Sequence, residues 1–148
     1  MGTMSNDIPE GYQLHERRSP VTDPWRPIYA NRDEEAYRLA IRLAESHCNA
    51  RGMLHGGVIA SLADNAMGLT LGLAVERAGE PDIERGKAKG IVTTHLAIDY
   101  IGIAEIGQWV AIEPRVVHLG RSSGVTDAIV TADGRTIARA NASFRILR

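Results

Sequence analysis

The apolar stretch of residues 58–75 constrains this chain most, because it holds a single acid, Asp64, among mostly aliphatic side chains. Its length predicts a helix over residues 57–77 with apolar side chains on almost every face. A helix of this kind is buried on most of its sides. A membrane span is disfavoured because Ser61, Asp64 and Asn65 interrupt a stretch of nearly minimal length. The sequence therefore predicts a core helix that needs a sheet around it, and no membrane partner.

Most of the remaining chain is predicted to form that sheet. Residues 37–43 alternate between apolar and polar side chains, and this period of two outweighs their helical propensities. A short strand precedes them at residues 28–30, and the Asp133-Gly134 pair is a strong signal for a hairpin turn. Further strands are predicted at residues 91–101, 109–118, 123–132 and 136–147. Short connections favour antiparallel neighbours, so we expect an α+β fold in which five to six strands wrap one helix.

The segment after the helix is less regular. Residues 77–90 are charged and rich in glycine, which predicts a flexible loop. In the strand that follows, Val92, Leu96, Ile98 and Tyr100 are predicted to share one face. Thr94 breaks that alternation.

Composition and the chain ends limit the class of protein. Residues 1–23 form a polar arm without periodicity that is expected to pack loosely, and residues 24–148 are expected to form a single domain. A net charge of −1 gives no electrostatic reason to expect a nucleic-acid partner. Cys48 is the only cysteine, so no disulfide framework is possible, and a cytoplasmic location is the default expectation. His47, Cys48 and His55 match no zinc spacing, and no metal is expected.

The start of the predicted helix is the first candidate for chemistry. His55 is followed by Gly56 and Gly57, which have no side chains to keep a ligand's carbonyl oxygen away from their N–H groups. Those donors and the positive end of the helix dipole would stabilise negative charge on that oxygen, as in an oxyanion hole. The alternative is a plain glycine-rich turn at the helix start.

Asp64 is the second candidate. It lies eight residues after Gly56, which is roughly 12 Å along a helix at about 1.5 Å per residue. A carboxylate must lie about 3 Å from a reacting group, or act through one water. Two antiparallel helices at a two-fold interface would bring each Asp64 to the other subunit's Gly56, so the spacing predicts a homodimer with two shared sites. The alternative is a buried acid satisfied by Asn65, Ser61 or backbone groups.

Asn49 and His55 flank the loop before the helix. Both could hold a substrate carbonyl or orient a water molecule. Alternatively, Asn49 stabilises its own loop through an Asx turn.

The pattern Asn49-x-x-Gly52-x-x-His55-Gly56-Gly57, with Asp64 seven residues later, resembles the signature of hotdog-fold acyl-CoA thioesterases of the phenylacetate-degradation (PaaI-like) type. Residues 91–100, 118–122 and 138–144 fit the same family, and the similarity spans about residues 25–147. The resemblance implies a hotdog fold, a curved antiparallel sheet around one long helix, in dimers that often pair into tetramers. The 77–90 loop and the N-terminal arm are longer than is usual for that family, which leaves the acyl preference open.

The same resemblance implies roles for individual residues. Asp64 matches the family's general base or nucleophile, and Gly56 matches the residue whose N–H polarises the thioester carbonyl, with Asn49 and His55 beside it. Thr93 matches a position that helps to place the water. The implied substrate contacts are Gly57 and, for the nucleotide end of coenzyme A, Arg121 and Ser122.

The implied reaction is hydrolysis of an acyl-CoA, with a small or aryl acyl group, to a free acid and CoA. No cofactor is expected apart from the coenzyme A of the substrate. One alternative is a non-catalytic acyl-CoA-binding hotdog module, which would not need an acid at position 64. Another is a structural subunit in which Asp64 and Asn65 only fix a helix interface.

Overall fold

A computed structural model describes residues 7–79 and 90–147, which form one antiparallel sheet of seven strands and one long helix. The elements are β1 (Gln13–Leu14), a 3-10 turn (Asp23–Trp25), β2 (Tyr29–Arg32), β3 (Tyr37–Arg42), a second 3-10 turn (Glu45–His47), α1 (Gly56–Ala78), β4 (Gly90–Tyr100), β5 (Trp109–Leu119), β6 (Ser123–Ala132) and β7 (Arg135–Leu147). The strand order across the sheet is β1-β2-β3-β5-β6-β7-β4. Most of the predicted 77–90 loop, residues 80–89, lies outside the described residues.

The predicted core helix is confirmed as α1, with bounds one residue wider at each end than expected. Its buried side chains cover several faces and pack against the sheet; they are Val58, Ile59, Leu62, Ala63, Ala66, Met67, Thr70, Leu71, Leu73, Ala74 and Val75. By length and composition α1 is also long and apolar enough to cross a bilayer. More than half of its most apolar window is buried inside the protein, as in the core helix of a globular domain.

The predicted hairpin between β6 and β7 is confirmed. Asp133 and Gly134 have φ values of +46° and +82°, and positive φ at both central residues is typical of a type I′ turn. This turn sets the register in which Ala132 pairs with Arg135.

The expectation of a loosely packed arm is wrong for residues 12–15. Gln13 and Leu14 pair with β2, and the His15 N–H donates to the Ile28 carbonyl at 2.8 Å. The Tyr12 ring contacts Trp109 edge-on. Both residues of β1 are exposed, so their sequence carries no alternation of apolar and polar side chains. The described residues therefore form seven strands rather than the predicted five to six.

Strand β4 lies at one edge of the sheet and contains a β-bulge where the sequence pattern breaks. Its pairing with β7 shifts register between Thr93 and His95, and the Thr94 hydroxyl donates to the Ser143 carbonyl at 3.1 Å. Ile91 packs against the core before the bulge, and Ile98 does so after it. The extra residue changes the parity of the alternation, so Ile91, rather than Val92, faces the helix. Val92 is 47% exposed, and the prediction that it shares a face with Leu96, Ile98 and Tyr100 is wrong.

Candidate active site

The His55 side chain closes the start of α1. His55 is the N-cap residue, with extended backbone dihedrals (φ −71°, ψ 131°), and its Nδ1 accepts the Gly57 N–H at 2.8 Å. The His55 carbonyl accepts the N–H groups of Val58 and Ile59. Because Nδ1 is the acceptor, the proton of the neutral imidazole lies on Nε2. The Gly57 N–H, a predicted substrate contact, is thus bonded within the chain, and only Nε2 of His55 is left for a ligand.

The backbone N–H of Gly56 is a hydrogen-bond donor without an acceptor in the described part of the chain. The Gly56 carbonyl accepts the Tyr100 hydroxyl at 2.7 Å. A Cβ atom on Gly56 would lie 3.1 Å from Cζ and the hydroxyl oxygen of Tyr100. Glycine therefore fits position 56 because the Tyr100 ring approaches so closely.

Sequence reasoning missed Tyr100 as a site residue. Tyr100 ends β4, more than forty residues from Gly56 along the chain, and its side chain is 55% exposed. Its only sequence signal is its place in the alternating row of β4, on the same face as Ile98. A tyrosine there presents an apolar ring and a polar tip together.

Asn49 stabilises its own loop, as the alternative interpretation predicts. Its Oδ1 accepts the N–H groups of Arg51 at 2.9 Å and Met53 at 3.2 Å, which is an Asx-type arrangement. Asn49 shapes the loop that leads into α1, and it also lines the neighbouring pocket.

Asp64 is half-buried in the chain, not fully buried as the sequence suggests. The Thr93 hydroxyl donates to its Oδ1 at 2.7 Å, so β4 supplies the partner. The Ser61 hydroxyl, one of the alternative predicted partners of Asp64, donates instead to the Gly57 carbonyl. Within one chain Asp64 and Gly56 remain about 12 Å apart along α1. The structure thus brings Thr93 to Asp64 and Tyr100 to Gly56, but it does not bring Asp64 to Gly56.

A pocket of about 330 Å³ opens beside the helix start. Asn49, Gly56, Gly57 and Tyr100 contribute polar groups to it. The remaining lining is mostly aliphatic; it comprises Met53, Leu54, Ile59, Gly102, Ile103, Ala104 and Ile137. All of these side chains are uncharged. The pocket can accommodate an apolar group whose polar end meets the Gly56 N–H.

Arg121 and Ser122 lie far from this pocket in the same chain. They lie in the turn between β5 and β6, where the Ser122 carbonyl accepts the Ile146 N–H at 2.8 Å. Gly124, just after that turn, packs against Leu71. Leu71 follows Gly56 by fifteen residues, or roughly 22 Å along the helix.

The histidine and cysteine before the helix serve the fold. His47 is buried; its Nδ1 accepts the Ala44 N–H and its Nε2 bonds to the Trp25 carbonyl. The Cys48 thiol donates to the Ala44 carbonyl, and burial raises its pKa, with Glu45 adding to that rise. Within residues 7–79 and 90–147, no group of three or more His, Cys, Asp or Glu side chains is placed to hold a metal ion.

A sequence profile described as the thioesterase superfamily matches residues 51–138, which is more than half of the chain and includes the helix start, Asp64 and Tyr100. The chain belongs to the thioesterase superfamily. The predicted enzyme class is thereby confirmed.

Individual relatives agree with this membership. The chain is 32% identical over 141 residues to a Pseudomonas aeruginosa protein named as an esterase, covering 95% of this chain and 98% of that protein. It is 33% identical over 101 residues to human acyl-coenzyme A thioesterase 13, covering 67% of this chain and 64% of that protein. In structure it is similar to a variant of the phenylacetic acid degradation protein PaaI from Thermus thermophilus, with a TM-score of 0.72 and 18% identity over 87% of this chain and all of that chain. The expected hotdog fold is confirmed by this likeness.

Proposed function

We propose that this thioesterase-superfamily protein hydrolyses acyl-CoA thioesters in a site shared between two subunits. The observation that carries the proposal is the division of the site along α1. A free Gly56 N–H borders the apolar pocket, while the carboxylate held by Thr93 lies about 12 Å further along the same helix. Neither half can hydrolyse a thioester alone.

The Gly56 N–H is the proposed oxyanion donor. It lies at the positive end of the α1 dipole, and a carbonyl oxygen in the pocket would accept a hydrogen bond from it. The charge on that oxygen grows as the tetrahedral intermediate forms, so the donor stabilises the transition state more than the substrate. One such donor contributes about 3–4 kcal/mol in enzymes where it has been removed.

Asp64 is the proposed general base or nucleophile. As a base, its carboxylate takes a proton from water while the water oxygen attacks the thioester carbon, and the CoA thiolate leaves and is protonated. As a nucleophile, Asp64 forms an anhydride as the CoA thiolate leaves, and water then releases the acid. The Thr93 hydroxyl supports both routes because it fixes Oδ1 and leaves Oδ2 for the substrate or water.

Strand β4 supplies the argument for a homodimer. It ends the sheet, so one of its edges has no partner strand among residues 7–79 and 90–147, and Val92 and Leu96 of this strand are exposed. Exposed apolar edges are prone to pair with another strand. Thr93 marks the Asp64 half of the site and Tyr100 marks the Gly56 half. Antiparallel pairing of β4 with its own copy, centred on Ala97, would set Tyr100 opposite the bulge at Thr93 and Thr94 of the partner subunit.

The same two-fold arrangement supports a CoA-binding role for Arg121 and Ser122. In this arrangement Asp64 lies beside Gly56 of the partner subunit. Leu71 follows Asp64 by seven residues, so it lies only about 10 Å along the helix from the partner's Gly56. The turn that carries Arg121 and Ser122 packs near Leu71 through Gly124. We therefore propose that these residues bind the nucleotide end of a CoA whose acyl group enters the other subunit's pocket. Pairing of two such dimers into a tetramer and a cytoplasmic location stay predictions.

The experiment is an assay of the purified protein with short aliphatic, aryl and long acyl-CoAs, in which a thiol reagent detects released CoA. We expect turnover of at least one acyl-CoA whose acyl group is uncharged, and loss of that turnover in Asp64→Asn. Asp127→Asn, which alters a partly exposed carboxylate paired with Arg115, is the matched control and should remain active. Absence of turnover with every acyl-CoA, or full activity in Asp64→Asn, would contradict the proposal. Tight CoA binding without turnover would identify a binding module instead.

A further inference from the structure

The Gly56–Gly57 peptide is held at both of its polar ends by side chains. Its carbonyl oxygen accepts the Tyr100 hydroxyl at 2.7 Å, and its N–H donates to His55 Nδ1 at 2.8 Å. The two bonds come from different parts of the chain, since Tyr100 ends β4 and His55 precedes α1. This single peptide unit therefore ties the helix start to the edge strand.

Such a restraint matters because two consecutive glycines form the helix start. Glycine has the widest range of backbone dihedrals, so an unrestrained Gly-Gly pair would sample many orientations. The unpaired Gly56 N–H shares its Cα atom with the clamped peptide, so fixing that peptide also limits the direction of this N–H. The His55 carbonyl, which lies in the same peptide plane as the Gly56 N–H, accepts the N–H groups of Val58 and Ile59, so that plane is held from the other side.

We propose that Tyr100 is a positioning residue that, together with His55, holds the Gly56–Gly57 peptide so that the Gly56 N–H stays directed at the reacting carbonyl oxygen. Tyr100 acts through Gly56 and takes no part in proton transfer. The inference rests on the proposed function, because a positioned oxyanion donor needs an acyl substrate. It also explains why glycine fits best at position 56, since a Cβ atom there would lie only 3.1 Å from Tyr100.

The test compares Tyr100→Phe with wild type. Phenylalanine keeps the ring against Gly56 and removes only the hydroxyl. Because orientation of a catalytic donor affects the transition state more than substrate binding, we expect kcat to fall about tenfold while KM changes less than about twofold. Tyr29→Phe, on the distant strand β2, is the control and should match wild type. An unchanged kcat in Tyr100→Phe would overturn the inference even if its melting temperature falls.

A second readout does not depend on catalysis. Hydrogen exchange of the Gly57 amide, followed by NMR, reports the bond to His55. We expect this amide to exchange several times faster in Tyr100→Phe, while the mid-helix amide of Gly68 is unchanged. If wild type hydrolyses no acyl-CoA, the proposed function fails, and this exchange measurement alone decides the inference. Equal Gly57 exchange in the two proteins would then overturn it.

Discussion

The Thr93 hydroxyl donates to Asp64 Oδ1 at 2.7 Å, which joins an edge strand to the single acid in the apolar stretch 58–75 of the core helix. The bond depends on the bulge at Thr94. Thr93 and Tyr100 are seven residues apart, and in a regular strand an odd separation places side chains on opposite faces. With one extra residue between them, both reach α1: Thr93 at Asp64 and Tyr100 at Gly56.

Replacing Thr93 with valine should impair catalysis without unfolding the protein. Valine has nearly the same shape as threonine but cannot donate to Asp64, so the carboxylate loses its fixed orientation. We expect kcat for acyl-CoA hydrolysis to fall about tenfold, a change of about 1.4 kcal/mol in activation free energy. Thr93 is exposed in the chain, so the free energy of unfolding should change little.

Thr136→Val, which changes an exposed threonine at the start of β7, is the matched control for this prediction and should keep the wild-type kcat. A Thr93→Val protein with wild-type kcat would show that the hydroxyl does not orient the acid.

The N–H of Gly56 can be removed selectively by substitution with proline. Proline is tolerated at the first position of a helix, and His55 already has the extended backbone that must precede a proline. We expect Gly56→Pro to lower kcat by about 10²–10³, the effect of losing one oxyanion donor.

Gly56→Ala separates this effect from crowding. Alanine adds the same Cβ atom at 3.1 Å from Tyr100 but keeps the N–H. Its kcat should therefore fall less than that of Gly56→Pro. Equal losses in the two variants would assign the effect to contact with Tyr100 and not to the donor.

Stability should decrease in mild acid because two histidines are buried in the neutral form. Burial lowers the pKa of His15, with Arg26 and Arg17 lowering it further, and burial also lowers the pKa of His47. Below pH 6.5, the ordinary histidine value, the unfolded chain binds protons that the folded chain does not. The histidine contribution to stability is therefore complete above pH 6.5 and declines as the pH falls through the lowered pKa values.

NMR titration of the histidine Cε1 protons and urea unfolding at about pH 7.5 and about pH 5.5 check this prediction. We expect midpoints below 6.5 for His15 and His47, and a smaller free energy of unfolding at the lower pH. His118→Gln, which changes an exposed histidine, should keep the same pH dependence. Midpoints at or above 6.5 would contradict the burial argument.

The sequence predicts those helices and strands whose burial imposes a regular spacing of apolar side chains. The core helix and the last four strands were found because their side chains must face one interior, and the Asp133-Gly134 turn was found because its dihedrals demand those residues. Strand β1 was missed because both of its side chains are exposed. Backbone pairing alone leaves no periodic trace in a sequence.

The candidate site was predicted in part for the same reason. The helix start and Asp64 stand out because glycines and an acid are conspicuous in an apolar stretch. Tyr100 was missed because its approach to Gly56 depends on the bulge, and a shift in pairing register cannot be read from alternation. The half-exposure of Asp64 was also missed, since it depends on which part of α1 the chain's own sheet leaves uncovered.

The most direct test of a shared site is a heterodimer that joins an Asp64→Asn subunit to a Gly56→Pro subunit, purified through two different tags. One of its two sites then combines the intact Gly56 of the first subunit with the intact Asp64 of the second. We predict about half of wild-type acyl-CoA hydrolysis from this heterodimer, although each variant homodimer should keep only about 1% of that rate or less. A heterodimer as inactive as the two homodimers would contradict the account, because it would place Asp64 and Gly56 of one chain in the same site.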